Sequence, residues 1–283
     1  MELVDTHAHL DFRAFDEDRE AVIVRAVEAG LVAIVNPGTD LESSRAAVAL
    51  AERYPHVYAA VGIHPTSAHL LDNGALTELR RLAAHPKVVA IGEIGLDDYW
   101  PRVPDRGWRC ATPEEQRRAF RAQLDLAADL DLPVIIHDRE AHDAVLALLE
   151  AWVQGGEGRR GVLHSFSGDE AMAHRAVEMG FYIGITGPVT FKKAEGLRRV
   201  VATVPMARLL VETDAPFLTP HPYRGRRNEP AHVRFVVRRI AEVRSVSPEM
   251  VASQTTHNAT ALFRRLRVET ASPPASTSAG PRS

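Results

Sequence analysis

Leu132-Pro-Val-Ile-Ile-His-Asp-Arg139 is a short apolar run ending in a histidine, and it lies between two helically periodic stretches, Pro113–Asp131 and Ala141–Trp152. Apolar residues at consecutive positions in so short a run mark a parallel strand buried on both faces. The same unit recurs along the chain. With Pro133–His137 as the fifth of eight, strands are expected at Leu3–Thr6, Leu31–Asn36, Val57–Ile63, Val88–Ile94, Gly161–Ser165, Tyr182–Thr186 and Leu209–Thr213. Further helices are expected at Asp16–Ala29, Leu41–Glu52, Ala75–Ala84, Glu170–Met179, Glu195–Thr203 and Pro230–Val243. Thr112, Pro113 and Glu115 spell a capping box with proline at the first helical position. Gly30 and Gly180 stand where a left-handed helix end favours glycine. Strict β–α alternation favours an α/β fold of the (β/α)8 TIM barrel type over a doubly wound open sheet. The 283 residues suit one such barrel, typically of roughly 250 residues, with additions.

Those additions come last. Two short helices, Pro248–Gln254 and Asn258–Leu266, are expected against the barrel exterior. From Val268 to Ser283 the chain is rich in Pro, Ser, Ala and Thr without periodicity, which reads as a disordered tail. One barrel domain over 1–267 and a tail over 268–283 follow.

Hydrophobic residues make up 45% and charged residues 25%, an ordinary globular balance. The single cysteine, Cys110, excludes an intrachain disulfide and fits a reducing compartment. The chain opens without a basic segment leading into an apolar one, and no apolar run approaches the ~20 residues of a spanning helix. A cytoplasmic protein with no membrane attachment is expected, and no feature calls for an obligate protein partner. A net charge of −3 excludes a general polyanion binder, so a nucleic-acid substrate would be held locally by metals and a few arginines.

Histidines and carboxylates recur where strands end. His7 and His9 close the first strand two residues apart, so alternation can point both to one side. Glu93 closes the fourth strand, His137 the fifth, His164 the sixth and Asp214 the eighth. In this architecture the C-terminal strand ends converge on one face, where active sites sit. Singly, each of these residues is a routine turn or solvated side chain; together they supply two divalent ions, with one carboxylate bridging. His64, at the end of the third strand, would be a seventh ligand and suits substrate contact better. His56 and His85 precede strands and belong to the opposite face, while His69, His142, His174 and His232 lack a strand-end position.

The blocks Asp5-Thr-His-Ala-His-Leu10, Gly62-Ile-His-Pro65, Gly92-Glu-Ile-Gly-Leu-Asp97, His137-Asp-Arg139, His164-Ser-Phe-Ser-Gly168, Glu212-Thr-Asp-Ala-Pro216 and Thr219–Pro230 together make the sequence resemble the TatD family of metal-dependent deoxyribonucleases, among the amidohydrolase-like barrels. The resemblance spans residues 5 to about 260. It implies divalent-metal dependence and phosphodiester hydrolysis, often as a 3′-to-5′ exonuclease preferring single-stranded DNA. It also implies that His7 and His9 hold one metal, that His137 and His164 hold the other, and that Glu93 bridges. Asp214 would ligate the first metal and handle the proton of the attacking water. His64, Arg139 and Arg224 would meet substrate phosphate. The family more usually places an aromatic directly after Gly-Leu-Asp, whereas Asp98 intervenes here before Tyr99-Trp100, and the loop to Thr112 is longer.

The residues leave several matters open. Imidazole-rich sites favour zinc or manganese and magnesium prefers oxygen, so the identity of the two ions is undecided. Arg226 and Arg227 fit substrate contact and a solvated loop equally; Tyr99 and Trp100 fit base stacking and loop packing equally. The main alternative activity is ester or amide cleavage of the amidohydrolase type, such as removal of D-amino acids from transfer RNA. A merely structural metal module is disfavoured, because such sites are closed and usually cysteine-rich.

Overall fold

The computed structural model describes residues 1–104 and 107–268. Eight parallel strands form one sheet in chain order: β1 (Leu3–Asp5), β2 (Leu31–Pro37), β3 (Val57–Val61), β4 (Val88–Asp97), β5 (Val134–Arg139), β6 (Gly161–Leu163), β7 (Tyr182–Ile185) and β8 (Leu209–Val211). Between and after them lie α1 (Arg19–Glu28), α2 (Leu41–Arg53), α3 (Asn73–Ala83), α4 (Pro113–Asp129), α5 (His142–Gln154), α6 (Glu170–Glu178), α7 (Glu195–Thr203), α8 (Val233–Arg244) and α9 (Pro248–Leu262). This is the expected (β/α)8 barrel. α1 begins at Arg19, three residues later than expected, and the first turn expected of α8 is a 3-10 turn at Pro230–His232 that leads directly into the helix. The Thr112 capping box is present, with its side chain accepting from Glu115 N and Glu115 accepting from Thr112 N.

Strand alternation divides the apolar residues between two faces. A large buried cluster joins one face of the sheet to the helices. A smaller one gathers the alternate strand residues Val4, Ala33, Val35, Ala60, Ala90, Ile135, Val162 and Leu210 with Leu262, Phe263 and Leu266. The end of α9 thus plugs the barrel at the end away from the C-terminal strand ends.

That plug corrects the expectation of two short external helices. Pro248–Leu262 is one continuous helix. Buried Thr255, whose β-branch reads as a weak helix former, donates back to Val251 O at 2.9 Å, and packing outweighs its propensity. Val268 packs against the smaller cluster, and the rest of the expected tail lies outside the described residues. No described helix is long and apolar enough to cross a membrane.

Candidate metal centre

Closure of the barrel builds one side of the site. β1 stops at Asp5, and the chain beyond it is zipped to the segment after β8. Thr6 N donates to Val211 O at 3.2 Å, Asp214 N to His7 O at 2.9 Å and His9 N to Ala215 O at 2.8 Å. His7 and His9 are thereby held with their Nε2 atoms 3.2 Å apart. Asp214 adopts φ 55°, a left-handed conformation that costs a non-glycine residue about 1–3 kcal/mol and persists where surrounding bonds over-determine it. Its Oδ1 lies 3.7 Å from His7 Nε2 and 3.5 Å from His9 Nε2. His164, just past β6, stacks on His7 at 3.3 Å between ring centroids and turns its Nε2 to 3.5 Å from the same Oδ1.

The other side depends on an irregularity in β4. Pairing with β5 runs from Ile91↔Val134 to Ile94↔Ile136, so three steps on β4 span two on β5. Glu93 sits in this break, the kind of bulge that re-aims a side chain. Flanking glycines permit the close approach: a Cβ on Gly92 would lie 2.6 Å from Ile135 Cβ, and Gly95, at φ 145°, would place one 2.0 Å from His137 O. The two Glu93 oxygens consequently point to different neighbours. Oε2 is 3.4 Å from His7 Nε2 and 3.7 Å from His9 Nε2, whereas Oε1 is 2.7 Å from His137 Nδ1 and 3.7 Å from His64 Nε2.

Ligand atoms of His7, His9 and Asp214 lie within 4.8 Å of one another, as do those of His7, Glu93 and His164 and those of His64, Glu93 and His137. All six expected ligands therefore gather at one rim, but the grouping differs from the expected one. His137 is joined at Glu93 by His64, not by His164. The reason is topological: β3 and β5 flank β4, while Glu212 holds His164 Nδ1 at 2.9 Å and turns the opposite nitrogen toward Asp214.

Sequence reasoning assigns no role to the carboxylates behind these rings. Asp97 and Glu212 are both fully buried. His137 Nε2 donates to Asp97 Oδ2 at 3.0 Å, and His64 Nδ1 meets Thr66 Oγ1 at 2.7 Å. Such partners fix ring orientation and tautomer at metal sites. The available signal was position, since Asp97 ends the strand beside His137 and Glu212 stands two residues before Asp214. The Nδ1 atoms of His7 and His9 are buried with no hydrogen-bond partner among the described residues.

Burial and charge pull these groups in opposite directions. Burial alone would raise the Glu93 carboxyl, but the charges of His64 and His7 and hydrogen bonds from His137 and His7 hold it well below the usual range. Burial likewise opposes protonation of His137, yet its bonds to Asp97 and Glu93 push it up to about 9. His164 rises well above its ordinary value against burial, through Glu212 and Asp214. Burial and the His137 charge push His64 down to about 3. A strong negative potential that draws protons onto imidazoles is also the potential a divalent cation would meet.

The cluster of candidate ligands floors a cleft of about 1880 Å³. Its lining includes His9, His64, Glu93, His137, His164, Asp214, Arg139 and Arg224, while His7 lies fully buried behind them. Arg139 lies over the Tyr99 ring at 3.8 Å and Arg224 over Phe191 at 4.1 Å, which leaves guanidinium edges for anions. Trp100 also lines the cleft, whereas Tyr99 serves as the base under Arg139. Arg227 is committed elsewhere, gripping Asp18 through two bonds of 2.7 Å.

A model of the TatD related DNases matches residues 4–264. The chain belongs to this family. An uncharacterized metal-dependent hydrolase, YabD of Bacillus subtilis, is 43% identical over 93% of this chain and 99% of its own. The 3′-5′ ssDNA/RNA exonuclease TatD of Salmonella typhimurium is 39% identical over 92% and 98%. A crystal structure of YJJV, a TatD homolog from Escherichia coli, superposes with a TM-score of 0.83 at 36% identity, covering 93% of this chain and 98% of that one.

Proposed function

We propose that this TatD-family chain hydrolyses phosphodiester bonds in nucleic acid with two divalent ions, acting from the 3′ end and preferring single-stranded DNA. The observation that carries the proposal is the division of Glu93, one oxygen toward His7 and His9 and the other toward His137 and His64. A carboxylate so placed would contribute one oxygen to each of two ions, which would together supply Lewis acidity at the same phosphate. The donor set fits: metal–nitrogen bonds of about 2.0–2.1 Å put neighbouring donors about 3 Å apart, as the His7 and His9 Nε2 atoms are. His7, His9 and Asp214 would hold one ion, His137 and His64 the other, and His164 would join from the His7 side. The exonuclease relatives support nucleic acid as the substrate.

Bound divalent ions supply Lewis acidity, activating water near neutral pH and drawing charge from a phosphoryl oxygen. Asp214 would accept the proton of the attacking water at its carboxylate, which His164 and His9 keep ionised despite burial. Arg139 and Arg224, each braced on an aromatic ring, would bind the phosphates and stabilise charge developing there.

The test is digestion of end-labelled single- and double-stranded DNA by metal-free chain reconstituted with zinc, manganese or magnesium, alongside ion counting. Chelation is expected to abolish cleavage. Glu93→Ala is expected to lose at least about a thousandfold in rate, the equivalent of several kcal/mol of transition-state stabilisation, while remaining folded. Near-normal hydrolysis by Glu93→Ala defeats the bridging assignment. Cleavage of D-aminoacyl-tRNA with no cut in any oligonucleotide replaces the substrate.

A further inference from the structure

Phe217 is half exposed, and it stands beside the ligand cluster on the lining of the cleft. Its ring centroid is 6.4 Å from that of His9 and 5.8 Å from that of Phe12, and Phe12 itself stacks on His9 at 4.6 Å. A ladder of three rings thus leads from a ligand imidazole to an open aromatic surface.

The backbone beneath Phe217 is fixed at several points. Its N–H donates to Asp214 O at 2.8 Å, its carbonyl accepts from Asn228 Nδ2 at 2.7 Å, and Asn228 N–H donates to Pro216 O at 3.0 Å. Asn228 is fully buried, and Asp214 and Leu218 both carry positive φ. One locked turn therefore presents both the Asp214 carboxylate and the Phe217 ring. An apolar ring held rigidly in view of solvent forgoes burial, and beside a charged site it offers what a base needs: a flat face reachable while the phosphate is bound.

We propose that Phe217, backed by Phe12, forms a nucleobase subsite that stacks the base flanking the scissile phosphate. This rests on the phosphodiesterase reading of the site. Stacking on a ring requires a base free of its own neighbours, so the subsite would favour single strands and frayed ends, and it would read the π-face without reading sequence.

The test compares oligonucleotides with a normal base or an abasic tetrahydrofuran unit beside the cleaved bond. For the wild-type chain, kcat/KM is expected to be about tenfold higher with the base present, which equals about 1.4 kcal/mol. Phe217→Ala and Phe217→Leu should bring that ratio close to one, and Phe217→Trp should preserve it. Leucine keeps apolar bulk without the π-face, so it separates stacking from packing. A 2-aminopurine at the same position, bound to metal-free chain, should be quenched by wild type and Phe217→Trp but not by Phe217→Leu. A base-to-abasic ratio or quenching equal in wild type and Phe217→Leu overturns the subsite. Failure of the wild-type chain to cut any phosphodiester overturns the functional reading instead, while the quenching still decides the subsite.

Discussion

Asp97 is fully buried and reaches the cleft only through another side chain. Its Oδ2 accepts from His137, and its Oδ1 accepts from the backbone of Tyr99 and Trp100 at 3.0 and 2.8 Å. One carboxylate thus orients the His137 ring and ties down the start of the aromatic loop. Burial would raise it, but the bond and charge of His137, with the backbone bond from Trp100 and the charge of His64, together hold it below its ordinary value. Asp97→Asn is expected to weaken metal binding by about 10–100-fold, the usual consequence of removing such a partner. Titration of metal-free wild type and variant measures this, and equal affinities would show that Asp97 only packs. At this scale the sequence was informative about the rim-facing histidines and carboxylates and silent about the groups that support them. A strand end announces a histidine aimed at the rim, but nothing local to residue 97 or 212 says which ring lies behind it.

Helix α1 is fastened to the loop before α8 by charge. Asp18 accepts two bonds from Arg227, and Arg25 joins Glu229 at 2.7 Å and Asp18 at 3.2 Å. The Arg227 hydrogen bond, then Arg25, holds the Asp18 carboxyl at about 2, below its ordinary 3.8. A depressed carboxyl stabilises the fold above its unfolded-state value, and that contribution disappears as pH falls through the folded one. Asp18→Asn is therefore expected to destabilise the fold at pH 5–7 by at most about 1 kcal/mol for so exposed a pair, and so to lower Tm, with the gap closing between pH 4 and 2. Melting curves across that range check it, and a gap constant with pH would assign the loss to packing. Elements were legible wherever period and caps agreed, as at α4. The β4 register break was not, because a bulge is a relation between two strands and leaves no mark in either alone.

The barrel depends on its plug. Phe263 is fully buried among inward strand residues, and the chain after it stays tied, with Tyr58 Oη donating to Arg267 O at 2.9 Å and Arg265 capping Ala83 O and Val88 O. We propose that the folded domain ends at about residue 267. Phe263→Ala is expected to cost about 3–5 kcal/mol and to lower Tm by roughly 10 °C, whereas truncation after Val268 should leave Tm unchanged. Calorimetry on both variants separates them; a large loss on truncation would move the boundary outward.

From the residues alone came the barrel, through eight repeats of an apolar run and an amphipathic stretch, and the convergence of histidines and carboxylates placed at strand ends on one rim. Both are written in local pattern, and parallel strands in a barrel must bring their C-terminal ends together. Only the tertiary structure decided which of these side chains meet. His64 stands beside His137, His164 leans to Asp214, and Glu93 divides its oxygens. Those pairings depend on neighbouring strands, a register shift and buried carboxylates that lie far apart along the chain.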